Sequence, residues 1–443
     1  MRILHTADWH LGNTMHNIDR QSEQEAFLDW LLFVVKDRQI DTLIVAGDVF
    51  DTYTPPNWAQ KIYYRFLASL ITTKCRNVIL VGGNHDSGNL LDAPREILDA
   101  INIHVVGNIG GKNIEDMVFP LSDEEGQICG VAAAVPYVSE IMLKDFCEAK
   151  EYAKGTFSDA GFSGLYGAFL EKAKALTGGK TMPLIATGHL YAAGLEGRYE
   201  GVEEEQKTDD GVRQIDVVGN LGKVHAASFP DEFDYVALGH IHYQSRVDHQ
   251  DRIRYSGSPF VMGFDEDRIP RYVLQVDLTH DDNGKNLSVE KIEVPAGIKF
   301  RRLSGKKEEI EEKLKEVLGK DHDSEFYDKL CIEICYDAGD GPALHELVEN
   351  TDFHEKVSVV SWKPGESRHT YQADFGGHDM HSMSNIQPKE IIRELVLSKT
   401  ELDTEGKTEE EIEKLRDAEV KTYLPYFLEA FDAVMSGGDY EDQ

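Results

Sequence analysis

Residues 41–48 read Asp-Thr-Leu-Ile-Val-Ala-Gly-Asp and combine two features that recur along this chain. The apolar run over residues 41–46 predicts a short buried β-strand. Gly47-Asp48 follows at once, so a carboxylate stands where the strand ends. In layered α/β folds, functional sites form at the carboxyl ends of the strands. This stretch therefore predicts both a fold class and the position of a site.

Strands and helices alternate on both sides of this run. The predicted elements are a strand at Ile3-Leu4, a helix over residues 20–38, a helix opened by Pro55-Pro56 and a strand over residues 77–81. Apolar residues recur at helical spacing at Phe27, Leu28, Leu31, Leu32 and Val35, and then at Ala59, Ile62, Tyr63, Phe66, Leu67 and Leu70. Alternation of this kind predicts an α/β layered fold.

Five short motifs supply metal-ligating side chains, and each follows an apolar run. They are Asp8-Trp9-His10, Gly47-Asp48, Gly83-Asn84-His85-Asp86, Gly188-His189 and Gly239-His240-Ile241-His242. A mixture of carboxylate, amide oxygen and imidazole suits a hard-to-intermediate ion such as Mn²⁺. Two ions that share a bridging carboxylate can polarise a phosphodiester and generate hydroxide at neutral pH. One motif alone is weak evidence, but the ordered set of five predicts a two-metal phosphoesterase.

Each of these side chains has an alternative role as a buried or loop residue that only makes hydrogen bonds. The metal site is favoured because the strand-ending residues lie beside glycines, which allow a close backbone approach. Asp86 has two interpretations: a group that orients His85, which is favoured, or a turn residue.

The rest of the chain predicts a second domain and a helical C-terminus. The first domain covers residues 1–280, with helix over 140–180 broken by Gly155, Gly161, Gly164 and Gly167, and with a surface loop over 194–222. Residues 285–365 form a small α+β unit of strand (287–294), helix (305–318), strand (327–336), helix (342–349) and strand (357–362). Residues 366–387 form a linker whose His369, His378 and His381 are loop histidines rather than metal ligands. Residues 388–443 are helical, and from the residues alone they either pad the second domain or dock onto a partner's helix.

Composition limits the partners and the location. The formal net charge of −34 opposes binding to DNA, because Lys and Arg supply most of the affinity for phosphates. The alternative is that the acidity serves solubility alone. No apolar run approaches the ~18 residues of a membrane helix, and the start of the chain lacks a signal-peptide core, so we expect a cytoplasmic protein. The five cysteines are scattered and odd in number, which disfavours a disulfide framework. Cys331 and Cys335 fit a strand face better than a zinc site.

The motifs resemble those of the nuclease subunits of bacterial SbcCD complexes, a family of calcineurin-like metallophosphoesterases. The similar stretches are His5-Thr-Ala-Asp-Trp-His-Leu-Gly12, Val45-Ala-Gly-Asp-Val-Phe-Asp51, Asp234-Tyr-Val-Ala-Leu-Gly-His-Ile-His242 and Tyr255-Ser-Gly-Ser-Pro259. The resemblance covers nearly the whole chain. It implies a four-layer α/β/β/α sandwich, a small capping domain, and C-terminal helices that bind the coiled-coil base of an SbcC-type ATPase in a heterotetramer.

The resemblance also implies roles for individual residues. The first metal takes Asp8, His10, Asp48 and His242, and the second takes Asp48, Asn84, His189 and His240, with Asp48 as the bridge. The ions are two divalent metals, with Mn²⁺ expected and Mg²⁺ as the alternative. His85 is the catalytic histidine, which donates a proton to the leaving sugar oxygen or steadies the phosphate. Asp51 stands near the site, as in the bacterial members, where archaeal and eukaryotic relatives carry histidine.

The chain departs from the family pattern at several positions. Tyr243 stands where many relatives carry a basic residue, and Val138-Ser139 stands where relatives often show an arginine. Both changes weaken contacts to the DNA backbone and leave the metal centre intact. Residues 141–180 and 194–222 match poorly.

The implied activity is that of a Mn²⁺-dependent DNA nuclease in DNA repair, recombination and replication. It is a 3′→5′ exonuclease on duplex ends, gated by ATP on the partner, and an endonuclease on single strands and hairpins. One alternative is a stand-alone phosphodiesterase on a small phosphoester, and another is a non-catalytic scaffold for DNA ends. A homodimer is also predicted, because the Pro55–Leu70 helix carries Trp58, Tyr63, Tyr64 and Phe66, although ordinary packing accounts for them equally well.

Overall fold

The computed structural model describes residues 1–15, 18–149, 159–195, 224–266, 268–281, 284–320, 322, 328–337 and 339–364. These residues belong to one compact unit, Met1–Glu366. The predicted linker over 366–387, with its three histidines, and the predicted helices over 388–443 lie outside the described residues. The predicted loop over 194–222 does so too, apart from its first two residues.

The first sheet is built around the apolar run over residues 41–46. Its six strands are, in spatial order, Gly284–Glu293 (β12), Tyr272–Asp281 (β11), Arg2–Thr6 (β1), Thr42–Ala46 (β2), Asn77–Val81 (β3) and Ile103–Val106 (β4). Strands β1 to β4 are parallel, and β11 is antiparallel to both of its neighbours, β1 and β12. Ile44 packs in one hydrophobic cluster, while Leu43 and Val45 pack in another on the opposite face. Strand β2 is thus buried on both faces, which explains its continuous apolar sequence.

The second sheet also has six strands and lies against the first. In spatial order they are Val118–Ser122 (β5), Ile128–Ala133 (β6), Leu184–His189 (β7), Tyr235–Gly239 (β8), Gln250–Tyr255 (β10) and Ser245–Val247 (β9). The four central strands are parallel, and the two edge strands are antiparallel to their neighbours. Strand β2 of the first sheet contacts β7 and β8 of the second. This contact brings the ends of strands from both sheets to one place.

Helices cover the outer faces of the two sheets and complete four α/β/β/α layers, as predicted. They are Gln21–Asp37 (α1), Asn57–Leu70 (α2), Gly88–Asp92 (α3), Arg95–Asp99 (α4), Glu140–Ala149 (α5) and Asp159–Leu176 (α6). The apolar residues of α1 and α2 pack with β1 to β3, and those of α6 pack with the second sheet. The predicted breaks at Gly161, Gly164 and Gly167 are wrong, since all three lie inside α6, while Gly155 lies outside the described residues. No helix in the described ranges is long and apolar enough to cross a membrane.

The small unit that follows has three parallel strands and two helices. They are Ile298–Gly305 (β13), Lys307–Leu318 (α7), Lys329–Tyr336 (β14), Gly341–Glu349 (α8) and Val357–Pro364 (β15). The elements predicted over 305–362 are present, but β13 was not predicted. Because its parallel strands alternate with helices, the predicted α+β unit has the connectivity of an α/β unit. Cys331 is buried and Cys335 is half-buried, and both are free thiols outside the candidate metal clusters of the described residues.

One predicted strand belongs to a different sheet. The strand predicted over 287–294 was assigned to the small unit, but β12 pairs with β11 along its full length in the first sheet. The register runs from Tyr272 opposite Glu293 to Asp281 opposite Gly284. The two strands are therefore close neighbours in the chain, and the Asp-Asn-Gly sequence over 282–284 is a hairpin signal that could have revealed this pairing.

Most of the aromatic residues of α2 pack against the hydrophobic core. Tyr63 and Phe66 are buried, and Trp58 packs partly buried against the same core. Tyr64 is the member with a solvent-facing ring, at 36% exposure. Ordinary packing thus accounts for Tyr63 and Phe66, and the predicted homodimer rests on the other two residues.

Candidate metal centre

The predicted ligands meet where strands of the two sheets end. Asp8 and His10 follow β1, Asp48 follows β2, Asn84 follows β3, His189 ends β7, and His240 and His242 follow β8. The sequence separates the first and last of them by more than 230 residues, yet the backbone N–H of His240 donates to Asp8 Oδ1 at 2.8 Å. The contact between β2 and the β7–β8 pair is what closes this distance.

Short contacts join the ligands from different strands. Asn84 Oδ1 lies 3.0 Å from His189 Nε2 and 3.0 Å from His240 Nδ1. Asp48 Oδ2 lies 3.2 Å from His189 Nε2 and 3.7 Å from His10 Nε2. Asp48 therefore stands between a histidine of the first sheet and a histidine of the second, which is the position that a bridging carboxylate requires.

Candidate ligand atoms also cluster in threes. Asp8, His10 and His242 form one group, and Asp8, Asp48 and His189 form another, with the ligand atoms of each group within 4.8 Å of one another. The first group holds three of the four ligands expected for the first metal. The second group shares Asp8 with it, so the two sets of ligands are contiguous.

The backbone at these strand ends is strained. Asp8, His10, Asp48 and His240 have φ angles of 53°, 43°, 48° and 100°. Residues with a Cβ rarely adopt positive φ, and such strain persists where the surrounding structure imposes it, often at functional sites. Here Asp8 N–H donates to Gly47 O and His10 N–H donates to Asp48 O, each at 2.9 Å. These bonds hold both ligand-bearing turns in the strained conformation.

Two glycines give the ligands room, as predicted. A Cβ on Gly47, whose φ is +93°, would lie 2.1 Å from His189 Nδ1. A Cβ on Gly83 would lie 2.1 Å from Asp48 Oδ1. Any larger residue at either position would displace a candidate ligand.

Several buried ligand atoms lack hydrogen-bond partners. Asp8 Oδ2 and both ring nitrogens of His10 are buried and make no well-formed hydrogen bond, although the His10 nitrogens lie 3.3 and 3.7 Å from carboxylate oxygens of Asp51 and Asp48. Buried polar atoms are nearly always paired, because an unpaired one loses its interaction with water and gains nothing in return. A carboxylate oxygen and an imidazole nitrogen are both ligands of divalent transition metals. The residues present therefore fit a divalent metal ion.

The electrostatic interactions within the cluster also favour a bound cation. Burial opposes ionisation of Asp48, but His189 and His10 outweigh it and hold the pKa of Asp48 well below its usual range. Burial lowers the pKa of His189, yet Asp48 and Asp8 raise it to about 9. Burial raises the pKa of Asp8, although His189 and His242 oppose this change. Positive charge beside Asp48 thus keeps its carboxylate ionised, and divalent ions also provide such charge.

His85 lies at the solvent side of the cluster, where a catalytic histidine is expected. Its backbone N–H donates to Asp48 Oδ1 at 2.8 Å, and its Nδ1 lies 2.8 Å from the backbone oxygen of Asp51. A carbonyl oxygen only accepts, so Nδ1 carries the hydrogen and Nε2 is left for another partner. The Asp51 carboxylate accepts a hydrogen bond from Asn13 at 3.0 Å and lies 3.3 Å from His10 Nδ1. Asp51 thus contacts His85 through its backbone oxygen, and Asn13 and His10 through its carboxylate.

Asp86 differs from its favoured interpretation. Its buried carboxylate accepts hydrogen bonds from the backbone N–H groups of Val49, Phe50 and Gly83, at 3.0, 2.8 and 2.8 Å. These bonds tie the turn after β2 to the turn after β3, whereas the expected role was to orient His85. Burial and the charge of Asp48 raise the pKa of Asp86 to about 6, against the effect of the three N–H groups.

Sequence reasoning missed a largely buried ion pair behind His242. Glu266 Oε1 lies 3.8 Å from His242 Nδ1, and Arg271 donates to Glu266 Oε2 at 2.8 Å and to the backbone oxygen of His242 at 2.6 Å. Burial opposes ionisation of Glu266, but Arg271 and His242 lower its pKa to about 2. The acidic stretch around Glu266 resembles a surface loop, so no sequence signal distinguishes this residue from the many exposed carboxylates.

Comparison with known proteins agrees with this geometry. The profile of the calcineurin-like phosphoesterase family matches residues 1–244, which contain all the clustered ligands. The chain therefore belongs to the calcineurin-like phosphoesterase family.

Three relatives within that family are SbcD subunits of SbcCD nucleases. The chain is 36% identical over 309 residues to the SbcD component of the SbcCD nuclease of Escherichia coli strain K12, covering 69% of this chain and 71% of that protein. It is 36% identical over 272 residues to the SbcD protein of Rhodobacter capsulatus, covering 60% of this chain and 64% of that protein. For the SbcD protein of Bacillus subtilis the identity is 34% over 281 residues, covering 62% and 66%. The chain is thus a member of the SbcD group.

Proposed function

We propose that this protein is the Mn²⁺-dependent DNA nuclease subunit of an SbcCD-type complex. It acts as a 3′→5′ exonuclease on duplex ends and as an endonuclease on single strands and hairpins, in DNA repair, recombination and replication. The observation that carries the proposal is the meeting of buried, unpaired ligand atoms of Asp8 and His10 with Asp48 at the strand ends. The SbcD relatives add the substrate class.

The ligands divide into two sets that share Asp48. The first set is Asp8, His10, Asp48 and His242, and the second is Asp48, Asn84, His189 and His240. When bound, two divalent ions supply Lewis-acid activation of the phosphodiester and of water. A donor set of carboxylates, an amide oxygen and imidazoles favours Mn²⁺, with Mg²⁺ as the alternative.

Individual residues then position and protonate the substrate. Asp48 supplies an ionised carboxylate between the two sets, since its pKa is held low by His189 and His10. His85 is held at the open side by the Asp48 carboxylate and the Asp51 carbonyl, which leaves Nε2 for another partner. In its imidazolium form, with hydrogens on both ring nitrogens, His85 donates the Nε2 proton to the leaving sugar oxygen or steadies the phosphate.

The remaining parts of the chain serve assembly in this proposal. Residues 1–280 form the nuclease domain and residues 285–365 the capping domain, with β12 contributing to the nuclease sheet. Residues 366–387 link these to the helices over 388–443, which dock onto the coiled-coil base of an SbcC-type ATPase in a heterotetramer. A homodimer through the α2 surface and a cytoplasmic location complete the proposal.

A second candidate is a stand-alone phosphodiesterase that acts on a small phosphoester. The net charge of −34 favours it, because an acidic chain repels the DNA backbone at long range. The metal ligands and their chemistry are the same in both candidates. A non-catalytic scaffold for DNA ends is disfavoured, because binding alone does not require a complete ligand set.

The deciding experiment measures Mn²⁺-dependent cleavage of a labelled DNA duplex and of a small phosphodiester by the purified full chain. The matched variants are His85→Ala and His345→Ala, the latter removing an exposed histidine on α8. DNA cleavage that is lost with chelator and in His85→Ala, but kept in His345→Ala, supports the nuclease.

If only the small ester is cut, the DNA cleavage assay is repeated with the co-expressed ATPase partner. If DNA remains uncut in that complex, the phosphodiesterase replaces the nuclease as the function. If neither substrate is cut under any of these conditions, both catalytic proposals are wrong.

A further inference from the structure

Two tyrosines stand beside the Asn84–His189 part of the metal centre. Tyr53 lies in the connection between β2 and α2, and its hydroxyl donates to the backbone oxygen of Asn84 at 3.2 Å. Tyr137 follows β6, and its ring centre lies 6.3 Å from that of His189 at an interplanar angle of 80°. The backbone N–H of Tyr137 donates to Gly82 O at 2.8 Å, next to the turn that carries Asn84.

These contacts place both rings at the same ligands. Asn84 Oδ1 and His189 Nε2 are 3.0 Å apart, so a ring fixed to Asn84 and a ring packed on His189 are neighbours of one pair of ligands. Burial raises the pKa of the Tyr137 hydroxyl, and Tyr53 and Asp48 add to this effect.

Tyr53 keeps most of its ring in solvent although its hydroxyl is anchored. The residue is 66% exposed, and Tyr137 is half-buried. A tyrosine that only closed a loop would gain more by packing its ring, since burial of aromatic area is favourable. An anchored ring with a free face is instead suited to receive a flat ligand. Nucleobases stack on such rings with little regard to sequence.

Base stacking also provides a source of affinity for DNA that the negative net charge of the chain does not oppose. Affinity from phosphate contacts requires Lys and Arg, and the net charge of −34 works against it. Base stacking on an aromatic ring does not depend on neutralising phosphates, so it supplies affinity that an acidic protein can use.

We propose that Tyr53 and Tyr137 form a nucleobase-binding subsite, which accepts an unpaired base next to the phosphate that is cut. The inference rests on the proposed nuclease function and specifies its substrate. A base inside a duplex has both faces covered by its neighbours, so the subsite takes a base only from a frayed end, a hairpin loop or a single strand. Cleavage by this protein is therefore directed to phosphates that flank unpaired bases.

The test compares two labelled single-stranded octamers by fluorescence anisotropy, using the full chain with Mn²⁺. One is a thymidine octamer with phosphorothioate linkages that resist cleavage, and the other has the same backbone with abasic residues. We expect the wild-type protein to bind the thymidine octamer about tenfold more tightly or better, from the usual strength of base–aromatic stacking. Tyr53→Ala/Tyr137→Ala removes this preference, and Tyr53→Phe/Tyr137→Phe keeps most of it, since the rings remain.

The matched control is Phe33→Ala, which removes a ring of α1 that is 61% exposed and keeps the preference for bases. Tyr53→Ala alone provides the test if the double variant does not fold, because this side chain is mainly in solvent. Equal binding of the two octamers by the wild-type protein, weak or strong, overturns the subsite. An unchanged preference in the alanine variants does the same.

Cleavage of duplex DNA, measured separately, distinguishes this inference from the proposed function. A protein that cuts DNA but shows no preference for bases remains a nuclease without the subsite. A protein that prefers bases through these tyrosines but cuts no DNA retains the subsite and loses the nuclease activity.

Discussion

Replacing Glu266 by Gln should weaken one of the two proposed metal sites. Glu266 Oε1 faces His242 Nδ1 at 3.8 Å, and Arg271 fixes both the Glu266 carboxylate and the His242 backbone oxygen. A carboxylate behind a metal-binding histidine holds the ring in place and makes its other nitrogen a stronger ligand. The substitution preserves the size of the side chain and removes its charge.

The size of the effect follows from the distance. A full charge at 3.8 Å interacts by about 4 kcal/mol at an effective dielectric constant of 20. A neutral imidazole bound to a metal carries only part of a positive charge, so roughly a third to two-thirds of that energy is relevant. The expected loss is about 1.4–2.7 kcal/mol, which corresponds to a 10- to 100-fold weaker metal site, as for other residues that support metal ligands.

The assay is a Mn²⁺ titration followed by electron paramagnetic resonance, which reports free Mn²⁺. We expect the wild-type protein to bind two equivalents, and Glu266→Gln to bind one of them 10- to 100-fold more weakly. Glu266→Asp retains the charge and should recover part of the affinity. Glu308→Gln, which removes an exposed carboxylate of α7, is the matched control for net charge.

Thermal unfolding of each variant without metal shows whether the loss is local. Arg271 loses its charged partner in Glu266→Gln, so a moderate decrease in Tm is expected as well. The reasoning is refuted if Glu266→Gln binds both Mn²⁺ equivalents with wild-type affinity, or if Glu308→Gln weakens binding equally.

Four further predictions test other parts of the protein. His85→Ala should lower the DNA cleavage rate by about 10²–10⁴-fold while Mn²⁺ stoichiometry stays at the wild-type value, and loss of metal binding would contradict this. Mn²⁺ at about 100 times its Kd should stabilise the wild-type protein by about 2.7 kcal/mol in thermal unfolding, and Asp48→Asn should remove most of that gain. Asp86→Asn should cost about 1.5–3 kcal/mol in urea denaturation, because an amide cannot accept all three N–H bonds; unchanged stability would show that the two turns do not depend on it. Burial lowers the pKa of His5 to about 3, so the unfolded chain takes up a proton below about pH 6.5 that the folded protein refuses, and stability falls with decreasing pH. His5→Gln should therefore reduce the loss of stability between pH 7 and pH 5 by about 2 kcal/mol in urea denaturation, and an unchanged loss would assign it to other groups.

Patterns in neighbouring residues allowed much of the fold to be predicted. Strand β2 is recognisable because both of its faces are buried, so no polar residue interrupts the run. Helix α2 is recognisable because its apolar residues repeat every turn, and all six predicted positions are buried. The small unit was harder to delimit, since β13 carries Arg301 and Arg302 in succession and so lacks a clear alternation.

The candidate ligands could also be named from the sequence. Asp8, Asp48, Asn84 and His189 each stand at the end of an apolar run, and the ends of parallel strands meet at one edge of a sheet. The two sheets then bring them within hydrogen-bonding distance. The three hydrogen-bond donors of Asp86 were not predictable from the sequence. They are backbone N–H groups, which do not depend on the side chains of the residues that supply them.

The sequence by itself determined most of the strands and helices and the candidate metal ligands, because these depend on local periodicity and on side-chain chemistry. Only the tertiary structure decided which elements and groups become partners. It paired β12 with β11, set Glu266 behind His242, and anchored Tyr53 on the backbone of Asn84. Such partners are fixed by packing between segments far apart in the chain, or by backbone groups that every residue carries, and neither leaves a pattern in the sequence.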